Sequence, residues 1–171
     1  MGMIEFARPD GGKTKGYLAT AGQGRPGIVV IQEWWGLNDQ ICGVADRFAR
    51  AGYNALAPDL YKGRLTNVPD EANHLMSGLD FPDATHQDLR GAARHLESSS
   101  GKVAVMGFCM GGALTIAAAV HIPETVARYA SMASRRRSSP IRRGSRSRSR
   151  AISPTRTIGA RPPPSTSWKP R

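Results

Sequence analysis

The sequence has few of the features that mark disulfide-rich or membrane-spanning proteins. Of its 171 residues only Cys42 and Cys109 are cysteine, and aromatic residues make up 6%. Two cysteines do not form a disulfide framework, which favours a reducing compartment. No apolar run approaches the roughly 18 residues of a membrane span, and the N-terminus lacks a charged segment followed by an apolar one. We therefore expect a soluble, cytoplasmic protein.

Acidic residues are missing from one part of the chain. The formal net charge is +11, yet residues 1–127 carry 11 Lys and Arg against 13 Asp and Glu. Residues 128–171 carry the other 13 basic residues and no acidic one. A charge spread over the whole chain would indicate a polyanionic partner. This distribution instead indicates a globular part, 1–127, followed by a basic Arg/Ser/Pro-rich tail, 128–171, which we expect to be disordered.

Apolar runs alternate with amphipathic stretches in the globular part. The runs Gly27–Ile31, Asn54–Ala57 and Val103–Met106 are typical of strands buried on both faces. Helical spacing of apolar residues appears at 38–52 and again at 83–97. A Pro-Asp-Gly-Gly turn near the N-terminus indicates an additional antiparallel hairpin. This order predicts an α/β protein with a doubly wound, mostly parallel sheet.

The segment after the third buried strand has the form Gly-x-Cys-x-Gly. Gly107 and Gly111 flank Cys109, which is the spacing of the turn that lifts a nucleophile between a strand and a helix. Ligands of doubly wound sheets bind beyond the carboxyl ends of the strands, where this segment begins. The N–H groups of the following helix would favour the thiolate form. The alternative is that Cys109 is only a small buried side chain between two glycines.

Three segments follow one another as they do in one enzyme family: Gln32-Glu33-Trp34-Trp35-Gly36, Pro58-Asp59-Leu60-Tyr61 and Gly107-Phe108-Cys109-Met110-Gly111-Gly112. Over residues 3–125 the chain resembles the dienelactone hydrolase family. The resemblance implies an α/β-hydrolase fold and a Cys-Asp-His triad that cleaves a lactone or related ester through an acyl-enzyme. It also implies that Glu33 contacts the resting cysteine, and that the N–H groups of Trp34 and Met110 form an oxyanion hole.

Other readings of these residues stay open. Glu33 could be a solvated loop acid, and the neighbouring tryptophans could cap the core rather than line a pocket. Asp59 is expected to brace the turn after Pro58, and Cys42 to pack on its helix. The histidines at 74, 86 and 95 precede the nucleophile, whereas this fold supplies its histidine last, so we expect them on the surface. We predict no cofactor and no metal, and a small-molecule ester or lactone as the partner.

Residues 126–171 contain no Asp, Glu or His, so the triad acid and histidine have no candidates there. The tail can be read in a shifted frame, in which each codon combines the third base of one original codon with the first two bases of the next. With permitted third bases, residues 147–161 then encode VPFQGHFANQDDWCT. Within that string, the stretch GHFANQDD resembles the family's loop carrying the triad aspartate.

We therefore interpret the tail as the product of a frameshift near residue 125. On this interpretation the hydrolase is truncated, inactive as written and left with its third buried strand as an unpaired edge. The alternative is a nucleic-acid-binding protein whose Arg/Ser-rich arm binds nonspecifically.

Overall fold

The structure is a computed structural model that describes residues 1–131. The tail predicted from residue 128 onward therefore lies, after its first four positions, outside the described residues. The frameshift hypothesis and the nucleic-acid-binding alternative lie outside them as well and stay predictions.

Within residues 1–131 one sheet contains six strands: β1 (Gly2–Ala7), β2 (Lys13–Ala19), β3 (Gly27–Ile31), β4 (Asn54–Pro58), β5 (Val103–Phe108) and β6 (Thr125–Ser131). They lie in the order β1-β2-β4-β3-β5-β6. The first two form the predicted N-terminal hairpin, and β2 also pairs antiparallel with β4. The remaining neighbours, β4 with β3, β3 with β5 and β5 with β6, are parallel. The predicted α/β class with a mostly parallel sheet is confirmed.

Helices cover both faces of the sheet. Val29 and Ile31 of β3 face a cluster that includes Leu96 and Leu114, whereas Ile28 and Val30 face a cluster that includes Ile41 and Val44. Alternate side chains of a strand point to opposite faces, which explains the uninterrupted apolar run of β3. The helices are α1 (Asp39–Arg50), α2 (Pro69–Ser77), α3 (Phe81–Asp83), α4 (Arg90–Ser100) and α5 (Met110–His121). Within residues 1–131 none is both long enough and apolar enough to cross a membrane.

Two features differ from the expectations. A π-helical turn, Ala84–Leu89, joins α3 to α4, where the sequence predicted one regular helix. The second feature is β6, which pairs with β5 from Thr125 to Ser131. The expectation that β5 forms an unpaired edge is therefore wrong, because the backbone groups of β5 find partners in a strand that runs past the expected boundary at residue 127. The boundary itself stays a prediction.

Candidate active site

Cys109 occupies a strained backbone position between β5 and α5. Its φ is 54° and its ψ is −116°, a combination that costs a non-glycine residue about 1–3 kcal/mol. The Cys109 N–H donates to the carbonyl oxygen of Ser131 over 2.9 Å, and its own carbonyl accepts from the N–H of Gly112 over 2.9 Å. The side chain is exposed. The turn thus presents the thiol to solvent and does not bury it, which sets aside the alternative of a small core side chain.

The two glycines that flank Cys109 sit where no side chain fits. A Cβ on Gly107 would overlap the backbone of Gly111. A Cβ on Gly111 would lie 2.6 Å from the carbonyl oxygen of Gln32 and 2.7 Å from that of Ile31. The first turn of α5 therefore rests directly on the end of β3, and glycine is the residue that permits this approach.

The loop after β3 lies beside the loop after β5. Ile31 is paired with Gly107 in the parallel register of these strands, so both chains leave the sheet at the same edge. Glu33 is partly buried and opens a tight turn, whose N–H at Gly36 donates to the Glu33 carbonyl over 3.3 Å. The structure thus places Glu33 and Cys109 on adjacent loops at the carboxyl edge of the sheet.

The tryptophans occupy the centre of the Glu33 turn. The rings of Trp34 and Trp35 meet edge to face with centroids 4.9 Å apart, and both side chains are partly buried. Within residues 1–131 no hydrogen bond uses the N–H of Trp34 or of Met110. With respect to the described residues, both groups are therefore available to donate to a bound oxygen.

Side-chain hydrogen bonds brace the loop after β4. The N–H of Leu60 donates to Oε1 of the buried Gln32 over 3.1 Å. Asp59 accepts from the N–H groups of Tyr61 and Gly63 through its two carboxylate oxygens. The role expected for Asp59, bracing the turn, agrees with these contacts. The loops after β3 and β4 are thereby fastened to each other.

Tyr61 links this loop to the residue after the cysteine. Its hydroxyl donates to Sδ of Met110 over 3.2 Å, and the two residues are only 2% and 4% exposed. Burial raises the pKa of Tyr61 to about 12; the Arg64 guanidinium opposes this shift and the charge of a Cys109 thiolate adds to it. Sequence reasoning missed this contact, because no spacing or motif marks a phenol that will meet a thioether.

All four histidines lie within residues 1–131, and there none is hydrogen-bonded to Cys109 or to Glu33. The histidines at 74, 86 and 95 are exposed, as expected from their place in the sequence. His121 lies at the far end of α5, where its ring meets that of His86 with centroids 5.0 Å apart. A helix of 12 residues is roughly 18 Å long, so α5 separates His121 from Cys109.

Metal ligands are not clustered in the part of the chain that the structure describes. Between residues 1 and 131 no three His, Cys, Asp or Glu side chains come together in a way that could hold an ion. The second cysteine, Cys42, is partly buried against the cluster beneath α1. Burial raises the pKa of the Cys42 thiol, and the nearby Asp39 and Asp46 raise it further. Cys42 is therefore a protonated packing side chain at neutral pH.

The sheet and the turn at Cys109 define a member of the α/β-hydrolase class, in which a strand-to-helix turn carries the nucleophile. Comparison with known families specifies this further. The model of the dienelactone hydrolase family matches residues 14–147, and the chain belongs to that family.

Individual relatives agree with this assignment. Protein usf of Aquifex pyrophilus is 38% identical over 135 residues, which cover 72% of this chain and 57% of that protein. Carboxymethylenebutenolidase of Pseudomonas putida is 35% identical over 118 residues, covering 61% of this chain and 50% of the enzyme. A solved structure from Klebsiella pneumoniae, assigned as a dienelactone hydrolase, has a TM-score of 0.61 at 27% identity and covers 73% of this chain. The chain spans 57% of that structure, and between 50% and 57% of the length of all three proteins.

Proposed function

We propose that this chain carries the nucleophile of an ester or lactone hydrolase, and that this nucleophile is the Cys109 sulfur. The observation that carries the proposal is the positive φ of an exposed cysteine on the turn between β5 and α5. Strained non-glycine residues persist where the surrounding structure imposes them, and they cluster at reactive sites. The helix that begins at Met110 directs its first N–H groups toward the same place.

The proposed reaction begins with a Cys109 thiolate. Its sulfur attacks the acyl carbon, and the carbonyl electrons move to oxygen, which the N–H groups of Trp34 and Met110 stabilise. The oxyanion collapses, the C–O bond to the leaving group breaks, and the departing alkoxide takes a proton from solvent water, leaving hydroxide. Water then hydrolyses the thioester, releasing the acid and restoring the thiol. We assign Glu33 the role of holding the resting thiol through its S–H group.

We infer that the substrate is a small ester or lactone. The name carboxymethylenebutenolidase, borne by the Pseudomonas putida relative, denotes hydrolysis of a butenolide, which is a five-membered lactone. A thiol nucleophile with two backbone donors suits any activated acyl carbon, so the arrangement supports the substrate class and no particular member of it.

We further infer that residues 1–171 alone accept an acyl group without releasing it. Deacylation needs a histidine to act as the base that activates water, and an aspartate to hold that histidine in the working orientation. Residues 122–171 contain neither His nor Asp, and His121 lies a helix length away from Cys109. The expected reaction of this polypeptide with an ester is therefore a single acylation.

The test is a burst experiment with p-nitrophenyl acetate. We expect about one nitrophenolate per protein molecule, followed by no continued release, and an acetyl group on the peptide that contains Cys109. Cys109→Ala should abolish the burst, whereas the matched variant Cys42→Ala should keep it. A burst that survives in Cys109→Ala would contradict the nucleophile assignment. Sustained, Cys109-dependent turnover would contradict the inferred single acylation.

A further inference from the structure

We propose that Tyr61 is a positioning residue, whose buried hydroxyl holds Met110 so that the Met110 N–H points at the oxyanion formed on Cys109. This inference rests on the proposed function, because it concerns the donor that stabilises that oxyanion.

The contact that carries the proposal is the bond between the Tyr61 hydroxyl and the Met110 thioether, at 3.2 Å. Met110 is the first residue of α5 and follows Cys109 directly. Its side chain and its backbone nitrogen are bonded to the same Cα, so a restraint on the thioether limits how far this Cα, and with it the N–H, can move. Both residues belong to one apolar cluster, where a phenol hydroxyl has few acceptors and is costly to leave unpaired.

Hydrogen bonds hold the chain on both sides of Tyr61. Its N–H is bound by Asp59 at 3.2 Å, and the N–H of the preceding Leu60 is bound by Gln32 at 3.1 Å. On the C-terminal side of Tyr61, Nζ of Lys62 donates to Asp88 over 2.7 Å and to Thr14 over 3.0 Å. A positioning group must be held at least as firmly as the group it positions. The loop after β4 meets this requirement on both sides of Tyr61.

Electrostatics agree with the geometry. Burial raises the pKa of Tyr61 to about 12, so the phenol keeps its proton, and remains a donor, throughout the pH range in which a cysteine ester hydrolase works. A Cys109 thiolate contributes to the same shift. The phenol and the thiol therefore belong to one electrostatic environment.

Two reactions of the Cys109 sulfur distinguish a role of Tyr61 in positioning the Met110 N–H from a role in general packing. Acetylation by p-nitrophenyl acetate passes through a tetrahedral oxyanion and needs the donors. Alkylation by iodoacetamide is a direct displacement at a saturated carbon and forms no oxyanion. Both reactions need the thiolate, so the ratio of their rates is independent of the thiolate fraction and reports on stabilisation of the oxyanion.

The experiment measures both rates in the 171-residue chain and in four variants. Tyr61→Phe removes only the hydroxyl, and Met110→Leu removes the sulfur while keeping the N–H. We expect each to lower the ratio of acetylation to alkylation by about 3- to 10-fold, and the double variant to lower it no further, since both changes break one bond. The matched control is Tyr17→Phe, which loses a 3.0 Å hydrogen bond to Asp46 away from the site and should leave the ratio unchanged.

The outcomes are distinct. An unchanged ratio in Tyr61→Phe or Met110→Leu, in a variant that melts cooperatively, would overturn the inference. An equal loss in both rates would also overturn it, because that pattern reports a general disturbance of the site. If the unaltered chain shows no Cys109-dependent acetylation, the proposed function fails and this inference fails with it. Intact acetylation with an unchanged ratio leaves the proposed function in place and removes the role of Tyr61 alone.

Discussion

Cys109 holds a backbone conformation that glycine adopts freely and other residues adopt at a cost. Between residues 1 and 131 one other non-glycine residue has a positive φ, Lys62 at 56°, and its ammonium group is tied to Asp88. Among the same described residues no side-chain hydrogen bond of this kind is formed by Cys109. Its conformation is imposed by the elements on either side, with β5 ending at Phe108 and α5 beginning at Met110. The strain is therefore a property of the turn and remains when the thiol is removed.

We expect Cys109→Gly to be more stable than Cys109→Ala. Both variants lack the thiol, but alanine keeps the Cβ that causes the strain, worth about 1–3 kcal/mol. Glycine gains more conformational entropy on unfolding, which offsets about 0.5–1 kcal/mol. The free energy of unfolding in urea should therefore be higher for glycine by about 1 kcal/mol.

The control for this comparison is the same pair of substitutions at Cys42, inside α1. There the order should reverse, with glycine less stable than alanine by about 1 kcal/mol, because glycine is a poor helix former. If alanine matched or exceeded glycine at position 109, the turn would not be strained.

Elements with a strong local signal could be predicted from the sequence. The strand predicted at 27–31 is β3 with the same bounds, because a strand buried on both faces needs an uninterrupted apolar run. The cap of α1 could be narrowed to Asn38 or Asp39 from residue type, and in the structure the Asn38 side chain accepts from the N–H of Ile41 over 3.1 Å. The π-helical turn and β6 could not. The first widens a helix without changing its composition, and the second includes exposed residues such as Arg128 and Tyr129 that break the pattern of a buried strand.

In the candidate site, too, some features could be predicted from the sequence and others could not. The places of Glu33 and Cys109 could be predicted, because each follows a buried strand and parallel strands end at one edge. Their chemical roles stay predictions. The bond between Tyr61 and Met110 could not be foreseen, since Tyr61 and Met110 lie 49 positions apart and thioethers accept hydrogen bonds only weakly. Contacts of this kind depend on the packing of whole elements.

Alanine substitutions at two helical glycines should have opposite effects on stability. Gly111→Ala would bring a Cβ to 2.6 Å from the Gln32 carbonyl oxygen and should lower the free energy of unfolding by about 1–3 kcal/mol, as overpacking does. Gly43 lies in α1, and a Cβ there meets nothing within 4 Å. Gly43→Ala should therefore raise the free energy of unfolding by roughly 1 kcal/mol. Chemical denaturation of both variants checks the pair, and a neutral Gly111→Ala would show that α5 is free to shift away from β3.

At the scale of the molecule, apolar side chains are exposed along α5 and β6. Ile116 and Val120 are 64% and 75% exposed on α5, and Val126 and Tyr129 are 64% and 63% exposed on β6. Of the strands within residues 1–131, β6 is the last on its side of the sheet. Exposed apolar groups next to a strand edge favour association between molecules.

We expect Val120→Lys to reduce self-association. The substitution places a charge in the most exposed part of this surface and leaves the core unchanged. Light scattering after size-exclusion chromatography should show a larger monomer fraction at every protein concentration. The matched control is Val68→Lys, which changes a residue 51% exposed just before α2 and should leave the monomer fraction as it was. Equal effects of the two substitutions would mean that added charge alone, and not this surface, controls association.

The π-helical turn at Ala84–Leu89 links two distant parts of the chain through one ion pair, between Asp88 and Lys62. A π turn holds about one residue more than an α-helical turn, and here it brings the buried Asp88 carboxylate to the ammonium group of Lys62. Deleting the extra residue should rotate that carboxylate away from Lys62 and break the ion pair. We therefore expect position 62 and the length of the segment at 84–89 to change together among relatives. Relatives with a plain helix in this segment are the ones in which a different residue should stand at the position of Lys62.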